Sequence, residues 1–134
     1  MLPWRRPHAR FEEAFLDARG LTIHSVRDGR AHVIRPVGEL DRHTADDFEH
    51  ELKRVEATDV REILVDLSCL ESIDSVGLKV LILASARSRM SGGRLLLARG
   101  PDRVHRRFQT TGMESRLPFA DINVTPCGNH SPLL

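Results

Sequence analysis

Asp66-Leu67-Ser68-Cys69-Leu70-Glu71-Ser72-Ile73-Asp74-Ser75-Val76-Gly77-Leu78 is the stretch on which the fold turns. Leading into it, Arg61 to Leu67 carries Ile63, Leu64 and Val65 as a continuous apolar run, the pattern of a strand buried on both faces at the centre of a sheet. Beyond it, a helical pattern runs to Ser91-Gly92-Gly93, where glycine can end a helix. The stretch is therefore a strand-to-helix junction at the carboxyl end of a central strand, the place where open α/β sheets put ligands and partners.

Upstream, Leu21, Ile23 and Ser25 alternate with Thr22, His24 and Val26, and Arg27-Asp28-Gly29-Arg30 supplies the Asp-Gly turn of a hairpin. Its second strand runs from Ala31 to about Val37. Gly38-Glu39-Leu40-Asp41 breaks that strand, and Asp41 is placed to cap a helix in which Ala45, Phe48, Leu52 and Val55 recur every three or four residues. Downstream, Arg94 to Ala98 reads as a strand. Gly100-Pro101-Asp102 opens a short helix with Val104 and Phe108 one turn apart, which Gly112 stops. Residues 116–124 add a last strand or turn.

The order strand, strand, helix, strand, helix, strand, helix calls for an α/β fold: a mixed sheet covered by helices, with right-handed crossovers. The domain spans residues 21–124, preceded by an extension over 1–20 and followed by a flexible tail over 125–134. Within the extension the pattern offers only a short amphipathic turn at Phe15 and Leu16.

A chain of 134 residues fits one domain, and 40% apolar with 29% charged residues is the balance of a globular protein. Twenty basic and 19 acidic residues leave a formal net charge of +1, so no overall field draws the chain onto nucleic acid or an anionic membrane. An aromatic content of 4% without tyrosine is poor material for stacking bases. Cys69 and Cys127 lack zinc-type spacing and read as ordinary thiols. Glu12, Glu13 and Asp17 interrupt any signal-peptide core, and the longest apolar run, Val80 to Ala84, falls far short of the ~20 residues that span a bilayer. A cytoplasmic protein is expected, with no membrane or nucleic-acid partner.

No phosphate loop, dinucleotide-binding turn, zinc-protease motif or nucleophile elbow occurs, so the expectation is a binding protein rather than an enzyme, without metal or cofactor. At the junction, Asp74 can cap the helix and leave the Ser75 hydroxyl exposed in its first turn. A phosphate there would gain roughly 0.3–1 kcal/mol from the helix dipole and add a charge of about −1.5 to −2. Asp-Ser before an apolar run is also a routine helix start, and local chemistry alone does not separate the two readings.

Two motifs in order supply more. Gly38-Glu39-Leu40-Asp41-Arg42-His43-Thr44-Ala45 and Asp66-Leu67-Ser68 through Asp74-Ser75-Val76-Gly77-Leu78 resemble the STAS family, and within it the bacterial anti-sigma-factor antagonists. The resemblance continues through Gly92-Gly93, Leu95-Leu96-Leu97 and the helix ending at Gly112-Met113, covering residues 21 to about 120. It implies that the unphosphorylated protein binds an anti-sigma factor that is a serine kinase, freeing sigma factor, and that phosphorylation ends the interaction. It places the acceptor on Ser75 and sets Asp41 and Asp74 to position the kinase. ATP and magnesium belong to that kinase, and a serine phosphatase is a further partner. Val76 stands where many relatives carry a second small hydroxyl residue, leaving Ser75 the only acceptor of the pair.

The partner-binding set expected on these grounds is Asp41, Asp74, Ser75, Val76, Gly77, Lys79, Val80 and Leu83. Lys79 follows Ser75 by one helical turn; it is equally readable as an ordinary exposed lysine. Val80 and Leu83 lie outside the stripe of Leu78, Leu81, Ile82 and Ser85, so they are free to meet the kinase or to pack under a neighbouring helix. Arg103, Arg106 and Arg107 read as a solvated face, and His43 as a surface residue. The protein is expected to be a monomer or weak dimer. The rival reading keeps the fold and makes the chain a small-ligand or nucleotide sensor, or a scaffold, without phospho-switching.

Overall fold

Strand β4 (Glu62–Asp66) lies inside the sheet, as its apolar run implies. The computed structural model describes residues 12–18 and 20–122, so the start of the expected extension and the tail over 125–134 lie outside the described residues. The remaining elements, in chain order, are β1 (Glu12–Ala18), β2 (Leu21–Asp28), β3 (Ala31–Leu40), α1 (Ala45–Glu56), β5 (Leu70–Ile73), α2 (Ser75–Ser91), β6 (Arg94–Ala98), α3 (Asp102–Thr110) and β7 (Phe119–Ala120). A 3-10 turn, Glu114–Arg116, precedes β7.

The sheet order is β1-β2-β3-β4-β6-β7, with β5 pairing the far end of β3. β1, β2 and β3 form antiparallel pairs; β3–β4, β3–β5, β4–β6 and β6–β7 are parallel. This is the mixed sheet expected. The hairpin turn carries Gly29 at φ 67°, a conformation glycine takes without Cβ strain.

Ile34, Val65 and Leu97 align across three strands and join Leu21, Ile23, Ile63 and Leu95 in one buried cluster. Helix α1 adds Phe48, Leu52 and Val55 to it, and α2 adds Leu78, Leu81 and Ala84. On the opposite face Val26, Val33, Leu64 and Leu96 are only half-buried. β4 is thus fully covered on one side, which corrects the expectation of a strand buried on both.

Three further expectations change. Residues 12–18 form an edge strand rather than a short turn, since pairing with β2 satisfies backbone groups that β2 would otherwise leave at an open edge. β3 does not end near Val37 but continues to Leu40, its register shifting between Gly38 and Glu39. Leu70–Ile73 form a strand because that extension of β3 gives them a partner.

Candidate functional site

The site is built where β3 and β5 end side by side. Gly38 makes the approach possible: its φ is 116°, and a Cβ there would stand 2.2 Å from the Gly20 carbonyl oxygen. Past this kink the Glu39 amide donates to Gly20 O at 2.9 Å, and Leu40 lies in register with Ile73. The Asp74 amide then donates to Leu40 O at 3.1 Å, carrying the pairing one residue beyond the sheet.

Asp74 caps α2 as its sequence position implies. Its Oδ1 accepts from the amides of Val76 and Gly77 at 3.0 and 2.9 Å, two of the donors that a helix start leaves unpaired. Its Oδ2 accepts from the Arg42 amide at 3.0 Å, reaching across to the segment after β3. Ser75 is the first residue of α2 and is exposed. Gly77 is buried against the end of β3: a Cβ there would come within 2.6 Å of Leu40 O and 2.9 Å of the Leu40 side chain. The first turn of α2 therefore rests directly on β3, which fixes the serine relative to the sheet.

The segment leaving β3 is closed by Thr44. Its buried hydroxyl donates to Glu39 O at 2.8 Å and accepts from the Asp41 amide at 3.0 Å. Asp41 accepts the His43 amide on Oδ1 at 2.8 Å, and its carbonyl accepts from Thr44 and Ala45 at 3.0 and 2.8 Å. Asp41 thus shapes the turn before α1, while Thr44 occupies the N-cap position; this corrects the expectation that Asp41 caps the helix. Here side-chain oxygens accept from the turn amides, a local alternative to main-chain pairing.

On α2, Ser75, Val76, Lys79 and Leu83 are exposed and follow one another at helical spacing down one face. Val76 and Leu83 keep 40% and 42% of their surface accessible. Val80 does not share that face. It is 6% exposed and packs in the core, so of the two residues expected outside the buried stripe only Leu83 reaches the surface. Asp41 and Asp74 are half-buried at the rim.

Behind the site, Asp66 ends β4 fully buried, its Oδ2 bound by Nε and Nη2 of Arg35 at 2.9 Å each and its Oδ1 accepting the Ser68 amide at 3.0 Å. This pair turns the chain from β4 towards β5. Cys69 is buried and engaged in a disulfide rather than the ordinary thiol expected. Among the described residues no His, Cys, Asp or Glu group is arranged to hold a metal ion, and no helix is long and apolar enough to cross a membrane.

The sequence pattern of the STAS domain matches residues 22–123. The chain belongs to the STAS domain family. An anti-sigma factor antagonist from Mycobacterium paratuberculosis has a similar structure, 24% identical with a TM-score of 0.69 over 80% of this chain and 92% of that one. The anti-sigma factor antagonist SpoIIAA in its unphosphorylated form is 20% identical, with a TM-score of 0.60 over 83% of this chain and 88% of its own. The Bacillus cell fate determinant SpoIIAA in the phosphorylated form is 19% identical, with a TM-score of 0.56 over 83% and 91%. At these identities the likeness is one of fold.

This STAS domain therefore joins its two sequence motifs physically: the Gly38–Ala45 segment and the Asp74–Leu78 helix start meet through Asp74. Thr44 and Arg42 lie within the first motif, whose residue pattern alone gives neither a task. A small hydroxyl residue just before an amphipathic helix was the available signal for Thr44 at the N-cap position, although its hydroxyl closes the turn instead of bonding the helix amides. The Arg42 contact had none, because it depends on the β3–β5 pairing.

Proposed function

We propose that this STAS domain is an anti-sigma-factor antagonist. Unphosphorylated, it binds a serine-kinase anti-sigma factor and frees sigma factor; phosphorylation of Ser75 by that kinase ends the binding, and a serine phosphatase resets it. The observation that carries the reading is Ser75 itself, an exposed hydroxyl on the first residue of a capped helix, beside an exposed face of Val76, Lys79 and Leu83. Asp41 and Asp74 border that face and are assigned to orienting the kinase.

The release step follows from charge and bulk. A phosphate adds about −1.5 to −2 charges where the contact had an uncharged serine beside partly apolar surface. Partner binding then loses apolar burial at Val76 and Leu83 together with the fit around the serine. The chain acts as a binding module, with ATP and magnesium supplied by the kinase. A sensing role for a small ligand has less support here: a cavity of about 270 Å³ lined by Glu56, Ile63, Arg87 and Gly93 lies at the other end of α2 and of the strands, away from Ser75.

The test is intact mass and site mapping after incubation with the serine-kinase anti-sigma factors of the source genome, ATP and magnesium. One phosphate on Ser75, absent from Ser75→Ala, is expected. The Ser75→Ala protein should bind the kinase without release, and Ser75→Glu should bind weakly. A folded Ser75→Ala protein that fails to bind would sink the mechanism.

A further inference from the structure

We propose that Arg42 is the intramolecular counter-ion of a phosphate on Ser75, so that the modified serine is tied to the segment after β3. The inference rests on the reading of Ser75 as the modified residue, and it comes from a chain crossing rather than from the helix end. β3 and β5 run parallel with Leu40 beside Ile73, the Asp74 amide bonds Leu40 O at 3.1 Å, and the Arg42 amide bonds Asp74 Oδ2 at 3.0 Å. Neighbouring strands lie about 4.8 Å apart, so Leu40 stands one strand spacing from Ile73, and two residues further on the Arg42 amide reaches the Asp74 carboxylate. A three-methylene stem gives the guanidinium the reach to meet a phosphate on the next residue, Ser75.

Arg42 is exposed, and its Nε lies 3.4 Å from His43 Nε2, at the long limit of a hydrogen bond. Among the described residues no carboxylate is within ion-pair distance of it. The segments that meet at Ser75 also carry Asp74, Asp41 and Glu39, which would repel a phosphate, with Lys79 one turn along α2 and His43 next to Arg42. Lys79 offers a point charge from the same helix. Arg42 offers a planar fork from a different element, suited to two phosphate oxygens at once. Its ion pair would offset these carboxylates and, in the phosphorylated protein only, add a second link between the Asp41–Thr44 turn and α2 to the one Asp74 already makes.

The experiment places phosphoserine at position 75 of the full chain by codon suppression, which makes it independent of any kinase. The phosphate is then titrated by phosphorus NMR in the wild-type background and in Arg42→Gln, Arg42→Lys and Lys79→Gln. With Arg42 present the phosphate's second ionisation should fall at a pH roughly 0.2–0.7 units lower than in Arg42→Gln, the range of an exposed ion pair. Arg42→Lys should restore part of that shift. Unmodified Arg42→Gln should melt with the wild type, because the amide and not the side chain makes the Asp74 contact. Equal titration of wild type and Arg42→Gln would overturn the proposal, as would a shift that only Lys79→Gln removes. Failure of every kinase to modify Ser75 would count against the proposed function while leaving this titration readable.

Discussion

One carboxylate, that of Asp74, holds two elements: Oδ2 accepts the Arg42 amide at 3.0 Å while Oδ1 caps α2 through Val76 and Gly77. The divided use means the two functions can be separated by substitution. An asparagine keeps an acceptor oxygen for the cap but presents an amide nitrogen to the Arg42 amide, which cannot accept.

Asp74→Ala should therefore cost about 0.5–2 kcal/mol in urea unfolding, the range for losing a helix cap. Asp74→Asn should cost less than that. Both should speed hydrogen exchange at the Arg42 amide, whereas only the alanine variant should speed it at Val76 and Gly77. An Arg42 amide equally protected in all three proteins would mean that the contact contributes nothing in solution.

The parts of this fold that sequence made legible are those fixed by local chemistry. The Asp28-Gly29 hairpin, the Asp74 cap and the left-handed Gly92 that ends α2 each depend on a residue type suited to one backbone state. β5 was not legible, because Leu70-Glu71-Ser72-Ile73 buries its first and last residues and has no alternation. It is a strand only because a kinked, prolonged β3 offers it hydrogen bonds. The exposed face of α2 was half legible for a related reason. Leu78, Val80, Leu81, Ile82 and Leu83 crowd apolar residues onto nearly every direction, so periodicity alone does not choose which of Val80 and Leu83 faces solvent. Packing against the sheet decides it.

Arg35 and Asp66 show how the site is supported from beneath. The Asp66 side chain has no solvent exposure and that of Arg35 has 11%, so little water is at hand to replace either partner of the pair. Arg35→Met removes the partner but leaves the carboxylate buried, a change that costs roughly 3–5 kcal/mol for pairs of this kind. The loss should also reach the Ser68 amide, whose protection from exchange depends on Asp66 Oδ1. Arg35→Lys, which keeps the charge but not the fork, should fall between the two. Chemical denaturation measures all three. A methionine variant within about 0.5 kcal/mol of wild type would show that the pair is dispensable.

Glu51 of α1 gives a pH dependence that can be assigned to one group. It is 3% exposed and receives Nε and Nη2 of Arg54 at 2.9 and 2.7 Å. Burial pushes its carboxyl up, but the hydrogen bonds from Arg54 and Ser25 and the nearby charges of Arg54 and His32 together outweigh it, holding the group below the usual carboxylate range. A carboxyl whose folded pKa is depressed contributes stability that is fully present above its unfolded value and is lost as pH falls through the folded one. Wild type should therefore be more stable than Glu51→Gln at pH 7, and the gap should close as pH falls below the ordinary glutamate range and the wild-type carboxyl takes up its proton. Taking the difference between the two proteins cancels the other acidic groups. Urea midpoints at stepped pH values follow the gap; one that widens towards acid would mean that desolvation wins at Glu51 and that the Arg54 contact does not hold the carboxylate in solution.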